Sequence, residues 1–120
     1  MPHLKCSILE TPLYDRIYRL YLLFHTLTPK IPKNKRYTLW QSCENTTLTL
    51  LETLIAASHL QGKERASALK VMSQKLDLLK TFIRLIKDTK TLKEKDYLSI
   101  ESLLQEIGRM IGGWLKSVSP

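Results

Sequence analysis

The chain has 120 residues, 43% hydrophobic and 25% charged, the profile of one soluble globular domain rather than of a disordered chain or two cores. Basic residues outnumber acidic ones by 19 to 11, and the resulting charge of +8 favours a polyanionic partner, most simply nucleic acid. The N-terminus lacks the apolar run of a signal peptide, and Leu20 to Phe24, the longest apolar run, cannot span a bilayer, so a cytoplasmic protein without membrane contact is expected.

Residues 1–10 read as a flexible N-terminal arm, and residues 11–120 as one bundle domain. Thr11-Pro12 reads as an N-cap followed by proline at the first helical position. The first helix should run from Pro12 to about Thr28 and stop before Pro29 and Pro32. Leu13, Ile17, Leu20, Phe24 and Leu27 form its core stripe, and Tyr14, Tyr18, Tyr21 and His25 form a second stripe beside it. Tyrosines at that spacing can stack on bases or line an interface, and Tyr14 and Tyr18 are assigned to an interface. Arg16 and Arg19 lie away from both stripes and are candidate phosphate contacts.

From Lys30 to Arg36 the connector carries Lys30, Lys33, Lys35 and Arg36 with no acidic residue. It is either a solvated run or the densest positive patch of a basic chain, suited to phosphates. The second helix should start near Tyr37 or Thr38 and reach His59, with Leu39, Cys43, Leu50, Leu54 and Ala57 inward and Trp40, Thr47 and Leu51 broadening that face. Its other face holds Ser42, Asn45, Thr46, Thr49 and Thr53, and only Glu44 and Glu52 are ionisable in the helix. Solvated faces normally carry Lys and Glu, so Asn45 and Thr49 mark a candidate subunit contact.

Gln61-Gly62-Lys63 reads as a tight turn, with Gly62 suited to a left-handed C-cap. The third helix, from about Lys63 to Lys87, has one apolar stripe through Leu69, Met72, Leu76, Leu79, Ile83 and Ile86. A second runs through Val71, Leu78, Phe82 and Leu85. One core uses one stripe, so Leu78 and Phe82 are assigned to an oligomer contact. Lys80, Arg84 and Lys87, at i, i+4 and i+7, form a basic row that can follow a phosphate backbone or stand as a solvated face.

After a short loop, residues 88–92, the fourth helix should start near Lys93 or Glu94 and end near Lys116. Its stripe is Ile100, Leu104, Ile107, Ile111, Trp114 and Val118. Gly108 and Gly112 sit four apart beside that stripe, each costing roughly 1 kcal/mol relative to alanine. Either another backbone approaches closely there, at an oligomer contact, or the helix end frays.

The ending Ile107-Gly108-Arg109-Met110-Ile111-Gly112-Gly113-Trp114-Leu115-Lys116, on a short basic helical chain, resembles the accessory variability proteins (Avd) of diversity-generating retroelements. The resemblance extends through Leu13-Tyr14-Asp15-Arg16-Ile17-Tyr18, through Ile31-Pro32-Lys33 with Tyr37-Thr38-Leu39, and through Leu79-Lys80-Thr81-Phe82-Ile83-Arg84-Leu85. It thus covers about residues 12 to 117. It implies a ring-like or barrel-like homopentamer with a positive outer or lumenal surface. It also implies a reverse transcriptase partner and template RNA, with DNA or an RNA–DNA hybrid as further ligands, during mutagenic complementary-DNA synthesis. Position by position it matches at Arg84, Arg109, Gly112, Gly113 and Trp114. Packing is the economical role for the glycines and Trp114, while Arg109 either pairs with an acidic residue or faces the partner. Bundle proteins encoded in intervening sequences of ribosomal RNA genes are similar, and they carry the alternative of a structural adaptor acting through protein contacts.

No catalytic, metal or cofactor site is expected. His3, His25 and His59 are scattered, and Cys6 and Cys43 fit neither a metal spacing, a disulfide framework nor a nucleophile motif. No glycine-rich loop follows a strand. The expected fold is all-α, an antiparallel up-down-up-down four-helix bundle assembling into a ring or barrel-like homo-oligomer.

Overall fold

Thr11 opens the first helix as its sequence requires, its hydroxyl oxygen accepting from the Tyr14 N–H at 3.3 Å while Pro12 fills the first turn. The structure is a computed structural model that describes residues 11–118, and the expectation of an arm over residues 1–10 lies outside them. The described residues form α1 (Pro12–Leu27), α2 (Gln41–Ser58), α3 (Gly62–Asp88) and α4 (Glu94–Val118), with short helical turns between α1 and α2 and no strand. At about 1.5 Å per residue, the 27 residues of α3 span ~40 Å, close to the 45 Å long axis of the molecule.

The main packing runs α1–α2, α2–α3, α3–α4 and α4–α1, closing a ring of four neighbours. Cross-helix pairs fix the directions. Arg16 meets Glu106 and Lys30 meets Asp96, so α1 and α4 are antiparallel. Arg65 meets Trp114 and Lys87 meets Tyr97, so α3 and α4 are antiparallel too. The core holds the stripes expected on α1 and α3, and on α4 as far as Ile111. Trp114 and Val118 are only half-buried, and the buried row of α4 begins earlier than expected, at Asp96 and Tyr97.

The start of α2 departs from simple helical spacing. Arg36–Trp40 is a π-helical turn that advances the chain less per residue. That rotation puts Trp40 fully inside (1% exposed) and leaves Leu39 half-buried, the reverse of the expected order. Trp40 Nε1 donates to Thr28 Oγ1 at 3.1 Å, and its ring meets Phe24 edge-on at 5.1 Å. Both ends of the basic connector are thereby fastened to the core.

At the other end of the molecule the link between α2 and α3 is residues 59–61. Gly62 is left-handed (φ +58°) as expected, but it opens α3, and His59 caps α2. Arg65 Nε and Nη2 donate to the carbonyls of Ala57 and Ser58 at 3.1 and 3.3 Å, satisfying the last turn of α2.

The backbone approach expected at Gly108 and Gly112 is not made within the chain. A Cβ on Gly108 would stand 3.4 Å from Leu76 Cδ2 and 3.6 Å from Lys80 Nζ, both side-chain atoms, and one on Gly112 or Gly113 would meet nothing. Gly113→Ala and Gly112→Ala should therefore each raise stability by roughly 0.5–1 kcal/mol in thermal melts. Loss of stability at Gly112 alone, with a fall in assembly mass, would instead place a neighbouring copy against that face.

Candidate nucleic-acid interface

The antiparallel order brings the α1–α2 connector and the α3–α4 loop to one end of the bundle, and cross-ties hold them together. Lys35 Nζ donates to Thr91 Oγ1 at 3.4 Å, and Thr91 Oγ1 lies 2.9 Å from Thr89 Oγ1. The Thr89 hydroxyl also lies 2.8 Å from the Leu85 carbonyl, so the two threonines tie the end of α3 to Lys35. Lys30 Nζ stands 3.4 Å from Asp96 Oδ2, a carboxylate whose side chain is only 10% exposed. Arg36 turns inward on the connector itself, donating to the carbonyls of Ile31 at 2.8 Å and Pro29 at 3.3 Å.

Of the four connector cations expected to meet phosphate, Arg36 is thus a clasp, Lys35 a tie, Lys30 an ion pair, and Lys33 an exposed charge with no acidic partner among the described residues. The loop adds Lys90 and Lys93 and the first turn of α4 adds Lys95, all exposed, none of which the sequence reading assigned. Each is unremarkable along the chain, in Lys90-Thr91-Leu92-Lys93-Glu94-Lys95. The signal that finds them is topological, because helix order alone puts this loop beside the connector.

The row on α3 divides. Lys87 Nζ lies 4.9 Å over the ring of Tyr97, near the basic end. Tyr97 OH donates to Glu101 at 2.6 Å, and that hydrogen bond to a carboxylate pushes the phenol above its ordinary pKa. Arg84 stands 3.9 Å from Asp88, both exposed, a pairing of little energetic weight. Lys80 borders a groove of about 390 Å³ between α3 and α4, together with Asp77, Gly108 and Arg109. Arg109 is exposed and has no acidic partner among the described residues, so the pairing alternative is not realised there.

Arg16 and Arg19 lie toward the opposite end and are engaged by carboxylates. Arg16 Nε meets Glu106 at 2.8 Å and its Nη1 meets Asp15, while Arg19 Nε meets Asp15 at 2.8 Å. The hydrogen bond from Arg19, reinforced by Arg16, holds Asp15 below the usual carboxylate range. The bond to Glu106, with Asp15 behind it, raises Arg16 above its ordinary value. A phosphate would have to displace these partners.

The expected interface residues fall on two faces that flank α2. Glu44 reaches Thr28 at 3.5 Å, so the flank of α2 that carries Leu48 and Ile55 turns toward α1. On α1 the stacked rings of Tyr14 and Tyr18, 6.0 Å apart, lie on the side away from Arg16 and its α4 partner Glu106. The opposite flank, with Asn45 and Thr49, turns toward α3, whose outward stripe of Val71, Leu78 and Leu85 is exposed and whose Phe82 is half-buried. Gly108 and Gly112 lie apart from both faces, on α4. Trp114 covers Arg65, whose guanidinium carbon is 5.5 Å from the ring centroid, so its place is packing at the clasp that ends α2.

Little chemistry gathers elsewhere. Cys43 is buried, and burial pushes its thiol up to about 12. His25 and His59 are exposed, and among the described residues no His, Cys, Asp and Glu side chains group where a metal could be held. No helix of the described residues is long and apolar enough to cross a membrane.

A family model described as bAvd-like matches residues 13–118, which is nearly the whole bundle. The chain belongs to the bAvd-like family. It is accordingly an Avd-like accessory variability determinant protein by family. The matched span contains all four helices from Leu13 onward, the basic connector, the α3–α4 loop and the glycine-tryptophan ending. No curated protein matches the chain. For a bAvd-like protein, the features to explain are a bundle end with clustered lysines and sides whose faces beside α2 are sparse in charge.

Proposed function

We propose that this bAvd-like chain is a non-catalytic accessory subunit that binds the template RNA of a diversity-generating retroelement and partners its reverse transcriptase. The observation that carries the reading is the gathering of lysines from two separate segments at one end, while the faces beside α2 carry few charges, Glu44 and Glu52 on α2 and Lys75 within the outward stripe of α3. Phosphate binding needs clustered cations and little else. Subunit assembly needs faces depleted in charge, which fits a ring-like or barrel-like pentamer joined through its sides. The reading takes the protein as cytoplasmic, as its RNA and polymerase partners require.

The test is assembly mass by light scattering, followed by titration of structured RNA at low and moderate salt. A pentamer is expected, with log K falling against log salt at a slope of about −4 to −5 if six phosphates are engaged. DNA and an RNA–DNA hybrid of the same length should compete. A monomer, or an oligomer indifferent to RNA at low salt, would sink the proposal. The adaptor reading, a bundle acting only through protein contacts, draws on the exposed stripe of Val71, Leu78 and Leu85 and would then take its place.

A further inference from the structure

Lys90 closes α3 in a conformation that a lysine seldom adopts. The Thr91 N–H returns to the Ile86 carbonyl at 3.1 Å and the Lys90 N–H to the Lys87 carbonyl at 2.9 Å, the paired bonds of a Schellman ending. That ending requires a left-handed residue, and Lys90 supplies it at φ +54°, among the described residues the one non-glycine with positive φ. Glycine is the usual occupant because it has no Cβ to crowd the following carbonyl. A lysine here bears the steric cost of its Cβ, offset in part by the attraction of its ammonium to the helix C-terminus. The ending makes Lys90 part of the lining of a recess of about 360 Å³, which Lys30, Lys93, Thr91 and Asp96 also line.

Two segments far apart in sequence thus contribute three lysines to the lining of one recess. The carboxylate among them, Asp96, stands against Lys30, so Lys90 and Lys93 bring positive charge with no acidic partner among the described residues. The net balance there is two positive charges, which matches one doubly charged anion or two singly charged ones. Like charges gathered around one recess repel, and an anion between them relieves that repulsion.

We propose that this recess is a phosphoryl-binding site, with Lys90 and Lys93 as its binding cations and Asp96 holding Lys30 in place beside them. The inference rests on the nucleic-acid reading above and narrows it to one site. The phosphoryl group can come from the RNA backbone or from a chain-terminal phosphate, and both sources present non-bridging phosphoryl oxygens that accept from ammonium groups.

The test compares Lys90→Gly, Lys93→Ala and, as a control, Lys70→Ala, an equal loss of charge at an exposed position on α3. Lys90→Gly should raise Tm by about 4 °C because the strain is removed, so its folding is not in question. With inorganic pyrophosphate as probe, the thermal shift seen in the parent protein should be lost in Lys90→Gly and Lys93→Ala and kept in Lys70→Ala. RNA oligomers with a 5′-phosphate or a 5′-hydroxyl should each bind the two site variants roughly five- to tenfold more weakly if the site takes backbone phosphate. If it takes a terminal phosphate, only the 5′-phosphorylated oligomer should lose affinity. Unchanged pyrophosphate and RNA binding in Lys90→Gly, in a protein that binds RNA with steep salt dependence, overturns the site and leaves the accessory reading standing. Absence of RNA binding by the parent protein overturns that reading, while the pyrophosphate arm still decides the recess.

Discussion

Trp40→Ala is expected to lower stability by about 4 kcal/mol, the largest effect of any single substitution near the basic end. The indole is fully buried, edge-on to Phe24, and its Nε1 donates to Thr28, so truncation removes packing and leaves a cavity at the junction of α1 and α2. It also strips a donor from the Thr28 hydroxyl, which keeps its own bond to the Phe24 carbonyl at 2.8 Å. Trp40→Phe separates the two contributions. It retains most of the ring volume and loses the hydrogen bond, for an expected cost of about 1–2 kcal/mol. Denaturant melts measure both. Because the π-helical turn exists to bring Trp40 inward, Trp40→Ala should also release residues 36–40, read as faster amide hydrogen exchange there than in α3. Equal stability of Trp40→Ala and the parent protein would remove the connector's anchor.

How far the sequence foretold this arrangement depends on which physical signal carried each part. Helix existence and core stripes rest on a 3.6-residue period, which survives in α1 and α3, and in α4 as far as Ile111. It fails at Trp40, where a π turn shifts the phase, and no period announces such a turn in advance. The capping signals at Thr11 were legible because the cap is local. Asp96 was not, since its burial depends on Lys30, 66 residues away in the chain. The candidate site shows the same division. The connector's four cations are contiguous and visible as a run, whereas Lys90 and Lys93 join them only through helix order. Arg16 and Arg19 read as available charges because Glu106 is remote in sequence and adjacent in space.

Removing charge at the bundle end should weaken RNA binding more than removing the same charge from its side. The triple variant Lys33→Ala, Lys90→Gly, Lys93→Ala leaves the Lys30–Asp96 pair intact, so no buried carboxylate is stranded and no folding defect is expected. If each lysine meets one phosphate, the salt slope should become shallower by about 2–3, at roughly 0.7–0.9 per contact. The same counterion arithmetic makes the loss of affinity depend on salt, about 10²- to 10³-fold near 50 mM and roughly 30-fold near 200 mM. The comparison is Lys80→Ala, Arg84→Ala, Arg109→Ala, which removes three charges around the α3–α4 groove. There Asp77 stands beside Lys80 and Asp88 near Arg84, so part of the positive potential is already cancelled and the slope should change by about 1 or less. A larger slope change in the lateral variant would move the RNA from the end of the bundle to its side. The lysine cluster would then remain as a phosphoryl site separate from the main RNA track, and the row foreseen on α3 would be that track.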